Sequence, residues 1–322
     1  MGARIFAYSL LAFLGSASAF AATPDCGRAC LRDVLDRYMG AVLKHDPSSA
    51  PLFAGFRETD NAVAVKPGNG VWKTFTALGK IQRRYVDPVN QSAGYFGTIE
   101  EGSDAAVATL RLKVDRRKIT EAEWVIGRKP PGGELNIDGL VAAPPPDHPV
   151  VKEARSSREA MIAAANSYFD GLQTHDGSVI LAHPGCARIE NGATMTGRRM
   201  PVLGGKPGEF TVFGDCASNM EQMQIAATAA RRFPVVDEDA GVLLGMVIFI
   251  RPPGSTIRRN LLTEWFVIEN NKVRGIYAAM YYPPADVPLP NWPPYEGNWP
   301  LPSSFPAAAP PGGPPAPDPA KP

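Results

Sequence analysis

The segment Arg188-x-Glu190-Asn191 carries residue types suited to acid–base chemistry. If the segment is extended, alternate side chains share a face, so Arg188 and Glu190 lie together. A carboxyl group held in apolar surroundings has a raised pKa and serves as an acid or base. A neighbouring guanidinium stabilises an enolate. We therefore predict Glu190 as the acid or base and Arg188 as its electrostatic partner; the alternative is a structural ion pair beside an Asn191-Gly192 turn.

The pair His175-Asp176, which recurs as His45-Asp46, is a second candidate. Histidine shuttles protons near neutral pH, so we predict that His175 assists catalysis and that His45 lines a ligand site. The alternative is structural, because a cation is favoured at a helix C-terminus and an aspartate can cap the next helix. The occurrence of the pair in both places fits the structural alternative better.

Further polar and aromatic residues are predicted to line ligand sites: Asn191, Tyr168, Tyr38, Asp60, Trp72 and Tyr95. The tyrosines and tryptophan have a core alternative, since aromatic side chains in helices and strands are buried by default. Asp237 stands at the end of a predicted strand, before a turn, and is expected to be a solvated turn acid.

A repeat places these residues in two equivalent frames. Tyr38–Ala62 and Tyr168–Gly192 align without a gap, 130 residues apart, and match tyrosine, His-Asp and asparagine positions. A single repeat at this distance indicates two copies of one domain, because solenoid periods are roughly 20–50 residues. The copies differ at the informative position, where Glu58 stands in place of Arg188 and Asp60 in place of Glu190.

Each copy reads as a helix followed by antiparallel strands, which predicts an α+β fold. Apolar residues at helical spacing are Leu31, Leu35, Tyr38 and Val42, then Ile162, Ala165, Phe169 and Leu172. Ser156 with Glu159 suggests a capping box. Strand-like segments are 94–100, 105–114 and 119–128 in the first copy, and 232–237, 242–251, 261–268 and 273–281 in the second.

Composition divides the chain further. We expect a signal peptide over 1–21, a first domain over 25–128, an extended Pro-rich linker over 129–152, a second domain over 153–282, and a Pro-rich tail over 283–322, disordered after about 306. The aromatic stretch 292–299 is expected to pack on a surface.

The charge balance excludes several classes of partner. Without the signal peptide the chain is neutral, with 32 basic and 32 acidic residues, which argues against nucleic acid and anionic membranes. No later segment is long and apolar enough to span a bilayer. Four cysteines in an exported chain favour disulfides, for which we prefer Cys26–Cys30 and Cys186–Cys216 among three connectivities. The histidines lack ligand spacing with the cysteines, so no metal is expected.

The helix ending in His-Asp, the R-x-E-N-G phrase and the strands around an N-x-K-V turn in 264–277 (EWFVIENNKVRGIY) resemble the nuclear transport factor 2-like (SnoaL-like) cone fold. The chain is most similar to a poorly characterised tandem group of fungi and bacteria known as a domain of unknown function. The resemblance implies two tandem cone-shaped domains, each with N-terminal helices on a curved antiparallel sheet. Enzymes of that superfamily use no cofactor, and their catalytic motifs do not align here.

The resulting expectation is an exported, periplasmic or secreted, cofactor-independent lyase, dehydratase or isomerase acting on a small, partly apolar molecule by proton transfer. Two alternatives stay open. One is a non-catalytic ligand-binding protein whose domains pair, or which forms homo-oligomers. The other is an envelope-associated scaffold that uses the Pro-rich tail.

Overall fold

The computed structural model describes residues 26–129, 134–202, 204–255 and 260–283. The expected signal peptide, the aromatic stretch 292–299 and the tail beyond Pro283 lie outside these ranges. Within them the chain forms two similar units, each with a six-stranded sheet and a long helix packed on it. The α+β fold with two domains is therefore confirmed.

The first domain begins with a long helix and continues through one short helix and six strands. Its elements are α1 Arg28–Leu43, β1 Leu52–Asp60, β2 Val63–Val65, α2 Val71–Thr74, β3 Ala77–Asp87, β4 Ser92–Glu101, β5 Asp104–Asp115 and β6 Lys118–Gly127. A single 3₁₀ turn, Pro47–Ser49, joins α1 to β1.

The second domain repeats this order after a short linker helix, α3 Ile137–Ala142. Its elements are α4 Arg158–Thr174, β7 Ala182–Glu190, β8 Ala193–Thr194, β9 Arg199–Pro201, β10 Phe210–Val212, β11 Ala227–Asp237, β12 Val242–Ile250, β13 Asn260–Glu269 and β14 Lys272–Tyr281. The hairpin β9–β10 has no counterpart among the described elements of the first domain.

Both sheets have equivalent strand orders. From the same edge they are β2-β1-β6-β5-β4-β3 and β8-β7-β14-β13-β12-β11. The first long strand of each domain pairs parallel to the last, β1 with β6 and β7 with β14. The sheets are therefore mixed, and the expectation of a purely antiparallel sheet is corrected. The pairing of β1 with β6 could not be predicted from local sequence, because parallel pairing joins strands far apart in the chain.

The two long helices use the predicted apolar faces. Leu31, Leu35, Tyr38 and Val42 are buried in α1, and Ala165, Phe169 and Leu172 in α4. The cap of α4 is one residue later than expected, since Ser157 accepts from the Ala160 N–H at 3.3 Å while Ser156 accepts from Asn271 N at 2.8 Å. Each helix ends shortly before its His-Asp pair, as expected, and both histidines, His45 and His175, have positive φ.

The two sheets pack against each other through the faces that point away from the helices. Trp265 of β13 lies against Tyr85 of the first domain, with ring centroids 5.0 Å apart. Thr263 donates to Thr109 across the interface at 2.7 Å. A glycine is required at Gly94, where a Cβ would lie 2.4 Å from the Trp265 ring. The pairing of the two domains within one chain is therefore direct and close-packed.

Asp87 and Asp237 make reciprocal hydrogen bonds across this interface. Asp237 accepts from Val86 N at 2.8 Å, and Asp87 accepts from Val236 N at 2.9 Å. Each carboxylate also meets the first helical arginine of the other domain, Asp237 with Arg28 and Asp87 with Arg158. The expectation that Asp237 is a solvated turn acid is wrong, because its side chain is 1% exposed and supplies backbone partners to the other sheet.

The linker is more ordered than an extended segment. Asn136 caps α3 by accepting from Gly139 N at 2.8 Å, and its own N–H donates to the Asn191 carbonyl at 2.9 Å. Leu140 is buried among residues of both sheets. With Ile137 and Val141 packed beside it, Leu140 makes a helical turn favourable where proline content predicted only extended chain.

Candidate functional site

The second domain gathers ionisable side chains on the helix-facing side of its sheet. Arg188 and Glu190 of β7 point to this side together with Cys186, as strand alternation requires. Arg188 Nε lies 2.9 Å from Glu190 Oε1, although the direction of approach falls outside hydrogen-bonding geometry. The Arg188 side chain is 2% exposed and that of Glu190 is 23% exposed. The pair therefore has a buried cation and a carboxyl group that solvent reaches.

Glu264 of β13 is a third member that sequence reasoning missed. In the sheet register Glu190 pairs with Ala278 of β14, and Glu264 pairs with the same alanine from the other side. The two carboxyl groups are therefore borne by strands two steps apart, which is roughly 10 Å between backbones. The available sequence signal was a glutamate within the apolar run of β13, because burying a carboxyl group costs free energy unless it is paired or hydrogen-bonded.

Several polar atoms of this group lack partners. Within the part of the chain that the structure describes, Arg188 Nη1 and Glu264 Oε2 are buried and make no hydrogen bond. Most buried polar groups in folded proteins are satisfied by protein or water. Burial, then the nearby Glu190 charge, raises the pKa of Glu264 well above its usual range, against the opposing effect of Arg188. Glu264 is therefore a buried carboxyl group with a raised pKa and an unused oxygen.

Tyr168 of α4 is the fourth member of this group and lies on its helix side. It lies on the buried face of α4 with its ring edge-on to Phe266, centroids 5.6 Å apart. Burial and the Glu264 charge raise the pKa of Tyr168. Burial lowers the pKa of the Arg188 guanidinium, but Tyr168 and Glu190 outweigh it and the net direction is upward. We call Tyr168, Arg188, Glu190 and Glu264 the second-domain cluster.

A long segment between β8 and β11 covers this cluster. The Phe213 ring lies 5.2 Å from the Arg188 guanidinium, a cation–π contact with an almost fully buried ring. Cys216 bonds to Cys186, which stands two residues before Arg188 on β7. The covering segment is therefore fixed by a covalent bond beside the residue that it contacts.

The equivalent place in the first domain has a different chemistry. Glu58 stands where Arg188 stands, and it accepts from Tyr38 Oη at 2.8 Å and from Trp72 Nε1 at 2.8 Å. Trp124 Nε1 donates to Tyr38 Oη at 3.2 Å. Burial raises the pKa of Glu58 to about 7, although the hydrogen bonds from Trp72 and Tyr38 lower it. We call Tyr38, Glu58, Trp72 and Trp124 the first-domain cluster; its glutamate is hydrogen-bonded at both oxygens.

Other predicted ligand residues of the first domain make framework contacts. Tyr95 Oη donates to the Thr98 carbonyl at 3.0 Å within the core. The His45 ring contacts the Trp72 carbonyl through Nδ1. Burial raises the pKa of Asp60, while Arg128 lowers it. These contacts do not test a binding role, which stays a prediction for each of them.

His175 and Asn191 are held by backbone groups of the second domain. His175 Nε2 lies 3.0 Å from the Ile225 carbonyl oxygen. The Asn191 side chain accepts from Met280 N at 2.8 Å and donates to its carbonyl at 3.1 Å, which extends the edge of β14. Asn61 holds Ile126 in the same way. The catalytic role of His175 stays a prediction, and the structure brings it no contact with Glu190 among the described residues.

Both preferred disulfides are present, Cys26–Cys30 and Cys186–Cys216. Among the described residues no group of three or more histidine, cysteine or acidic side chains is arranged to hold a metal ion. No helix in those ranges has the length and apolarity needed to cross a membrane.

Comparison with known proteins finds similarity over parts of the chain and assigns it no activity. A family profile described as a domain of unknown function (DUF8021) matches residues 154–280, the second domain. No curated protein matches the chain.

Two solved structures are similar to part of it. One is a protein from Sphaerobacter thermophilus, with TM-score 0.26 and 14% identity, covering 38% of this chain and 96% of that one. The other is an NTF-2 like protein of unknown function from Burkholderia xenovorans LB400, with TM-score 0.26 and 10% identity, covering 40% and 88%.

Proposed function

We propose that the second domain is a cofactor-independent acid–base site of the lyase or isomerase type, with a small, partly apolar substrate that carries a carbonyl or carboxylate oxygen. The observation that carries the proposal is the pair of unsatisfied buried atoms, Arg188 Nη1 and Glu264 Oε2. Buried polar atoms without partners cost free energy unless a ligand or water satisfies them. A substrate oxygen would supply the missing acceptor.

The chemistry follows from the positions of the three ionisable side chains. Glu190, which solvent reaches, would remove a proton from carbon next to the substrate carbonyl. The charge that develops on the carbonyl oxygen would be stabilised by Arg188 and by Glu264 in its protonated form, which the raised pKa of Glu264 favours. Return of the proton to a different atom, or loss of a leaving group, completes an isomerisation or elimination.

Apolar side chains favour the partly apolar part of such a substrate. Phe169 and Phe266 lie beside Tyr168, with ring centroids 5.8 and 5.6 Å away. Phe213 covers the guanidinium from the other direction. Such surroundings exclude water, which strengthens the electrostatic contribution of Arg188.

For the first domain we propose a structural role. Its cluster satisfies the Glu58 carboxyl group with donors from Tyr38 and Trp72. Neither of the two unsatisfied atoms of the second domain has an equivalent there. Glu58 replaces Arg188, and Leu110 of β5 occupies the position that Glu264 has in β13, five residues before the end of the strand at the hairpin turn. We further propose that the chain is exported, because two disulfides are typical of proteins that fold in oxidising compartments.

The proposal is tested by α-proton exchange in deuterated water, followed by proton NMR for pyruvate, acetoacetate and phenylpyruvate. The wild-type protein should accelerate exchange of at least one compound. Glu190→Gln should slow that exchange by about a hundredfold or more, the usual contribution of a general base. Asp60→Asn, at the equivalent position of the first domain, is the matched control and should leave the rate unchanged. A fully active Glu190→Gln variant contradicts the assignment.

A further inference from the structure

A groove separate from the second-domain cluster lies where the two domains and the linker meet. Its cavity is about 120 Å³ and is lined by the first half of α1, by β3, by linker residues 147–149 and by the turn after β11. The volume is far more than a single water requires. Walls from three segments make this groove a feature of the paired domains rather than of either alone.

Basic side chains dominate the lining. Four arginines, Arg28, Arg32, Arg83 and Arg84, face two aspartates, Asp147 and Asp237. The Asp237 carboxylate is already bound by Arg28 Nη2 at 2.9 Å and by Val86 N at 2.8 Å, so it has little remaining capacity to neutralise the other arginines. Asp147 is 66% exposed, and its carboxylate is 3.7 Å from Arg83 Nη1.

Three of the arginines keep unused donors. Arg32 makes one long contact, from Nη2 to the Arg84 carbonyl at 3.4 Å. Arg83 is held by its Nε, which donates to the Pro145 carbonyl at 2.7 Å, and this fixes the direction of its guanidinium. Arg84 is held through Nε by Asp36 at 2.5 Å. Two firmly held guanidinium groups and one held by a single long contact thus border the same cavity.

We propose that this groove binds a small phosphate-type oxyanion, either inorganic phosphate or the phosphate group of a monoester. The planar guanidinium presents paired N–H groups that match two oxygens of such an anion. Arg83 and Arg84 supply fixed donors, and Arg32 closes over the anion from α1. Since Arg32 belongs to the first domain and the linker holds Arg83, a bound anion also ties the linker to α1.

The test is a calorimetric titration of the full chain with sodium phosphate at constant ionic strength, with sodium chloride as the reference. Phosphate should bind with measurable heat. Arg32→Gln should weaken binding by roughly tenfold or more, the scale of a lost charged hydrogen bond. Arg37→Gln is the matched control, because Arg37 lies on the same helix, pairs with Asp33 at 3.9 Å, and is absent from the groove lining.

Absence of phosphate heat above the chloride reference would overturn the proposal. Equal losses in Arg32→Gln and Arg37→Gln would also overturn it, since they would indicate attraction to overall charge. A second titration with phenyl phosphate separates the two sources of the anion. Tighter binding of the ester than of phosphate assigns the groove to a phosphomonoester, and equal or weaker binding assigns it to the free ion.

Discussion

The two domains differ in charge at one aligned position, where the first domain has Glu58 and the second has Arg188. Glu58 is enclosed by donors from Tyr38 and Trp72, whereas Arg188 is enclosed by a ring and two acids. The Glu58 carboxyl group already has hydrogen-bond donors at both oxygens, so a ligand would add little. A buried cation with an unused Nη1 gains from one.

Glu58 makes the stability of the fold depend on pH in a defined direction. Its pKa is about 7 in the folded protein against an ordinary 4.5, so the folded state holds the proton more tightly. The resulting stabilisation is complete below about pH 4.5 and is lost as pH rises through 7. The difference corresponds to about 3 kcal/mol in order of magnitude.

Urea unfolding at pH 5 and pH 8 measures this contribution. Wild-type protein should lose more stability between the two values than Glu58→Gln, because glutamine does not titrate. Glu153→Gln, at an exposed acid, serves as the control and should follow the wild type. If Glu58→Gln and wild type lose the same amount, the carboxyl group is not held neutral.

At this scale the sequence predicted part of the candidate site. Strand alternation placed Arg188 beside Glu190, and the structure has their side chains 2.9 Å apart. Glu264 escaped notice, because it reaches the site only through the pairing of β13 with β14 and of β14 with β7. Pairing of this kind depends on contacts distant in sequence, which residue types and spacing do not reveal.

The largest structural difference between the two domains is the covering segment of the second domain, which contains the β9–β10 hairpin. Cys216 attaches it to β7 through Cys186, and Phe213 rests on Arg188. The second disulfide, Cys26–Cys30, joins residues only four apart at the start of α1. The two bonds therefore restrict the unfolded chain to different extents.

Paired alanine substitutions should reveal that difference. Removing Cys186–Cys216, whose cysteines are 30 residues apart, should cost roughly 4 kcal/mol from loop entropy, against roughly 2 kcal/mol for Cys26–Cys30 with a separation of 4. The midpoint of urea unfolding checks the order. Equal losses, or a larger loss for the Cys26–Cys30 pair, would mean that loop length does not set the contribution of these bonds.

Local patterns predicted the two long helices and seven strands, whereas the long strands β1 and β3 and the short elements were not predicted. The predicted segments 94–100 and 105–114 fall in β4 and β5, and 119–128 extends one residue beyond the end of β6; the turns between them are where charged and glycine residues indicated. The linker helix α3 was not predicted, because its formation depends on Leu140 entering the interface between the sheets. The tertiary contact, rather than local propensity, decides that segment.

At the scale of the whole molecule, the chain is a pair of similar domains facing each other. The exchange of Asp87 and Asp237 is reciprocal, since each accepts from the backbone of the other strand and meets the other helix. The repeat predicted the duplication. It did not predict this interface, because the local sequence indicated a solvated turn residue at Asp237. The asymmetry between the two clusters is the basis of our proposal that the second domain carries the chemistry and that the first has a structural role.

The central claim is that ligands of this class bind beside Arg188 and not in the first domain. One set of proton–nitrogen correlation spectra tests it, with pyruvate, acetoacetate and phenylpyruvate added to nitrogen-labelled protein. The Arg188 Nε–H signal, assigned with Arg188→Lys, reports the second-domain cluster. The indole signals of Trp72 and Trp124, assigned with phenylalanine substitutions, report the first.

We predict that at least one of these compounds shifts the Arg188 signal in a saturable way while both indole signals stay in place. Saturable shifts of the Trp72 and Trp124 signals with an unchanged Arg188 signal would contradict the account, as would an Arg188 signal that none of the three compounds moves.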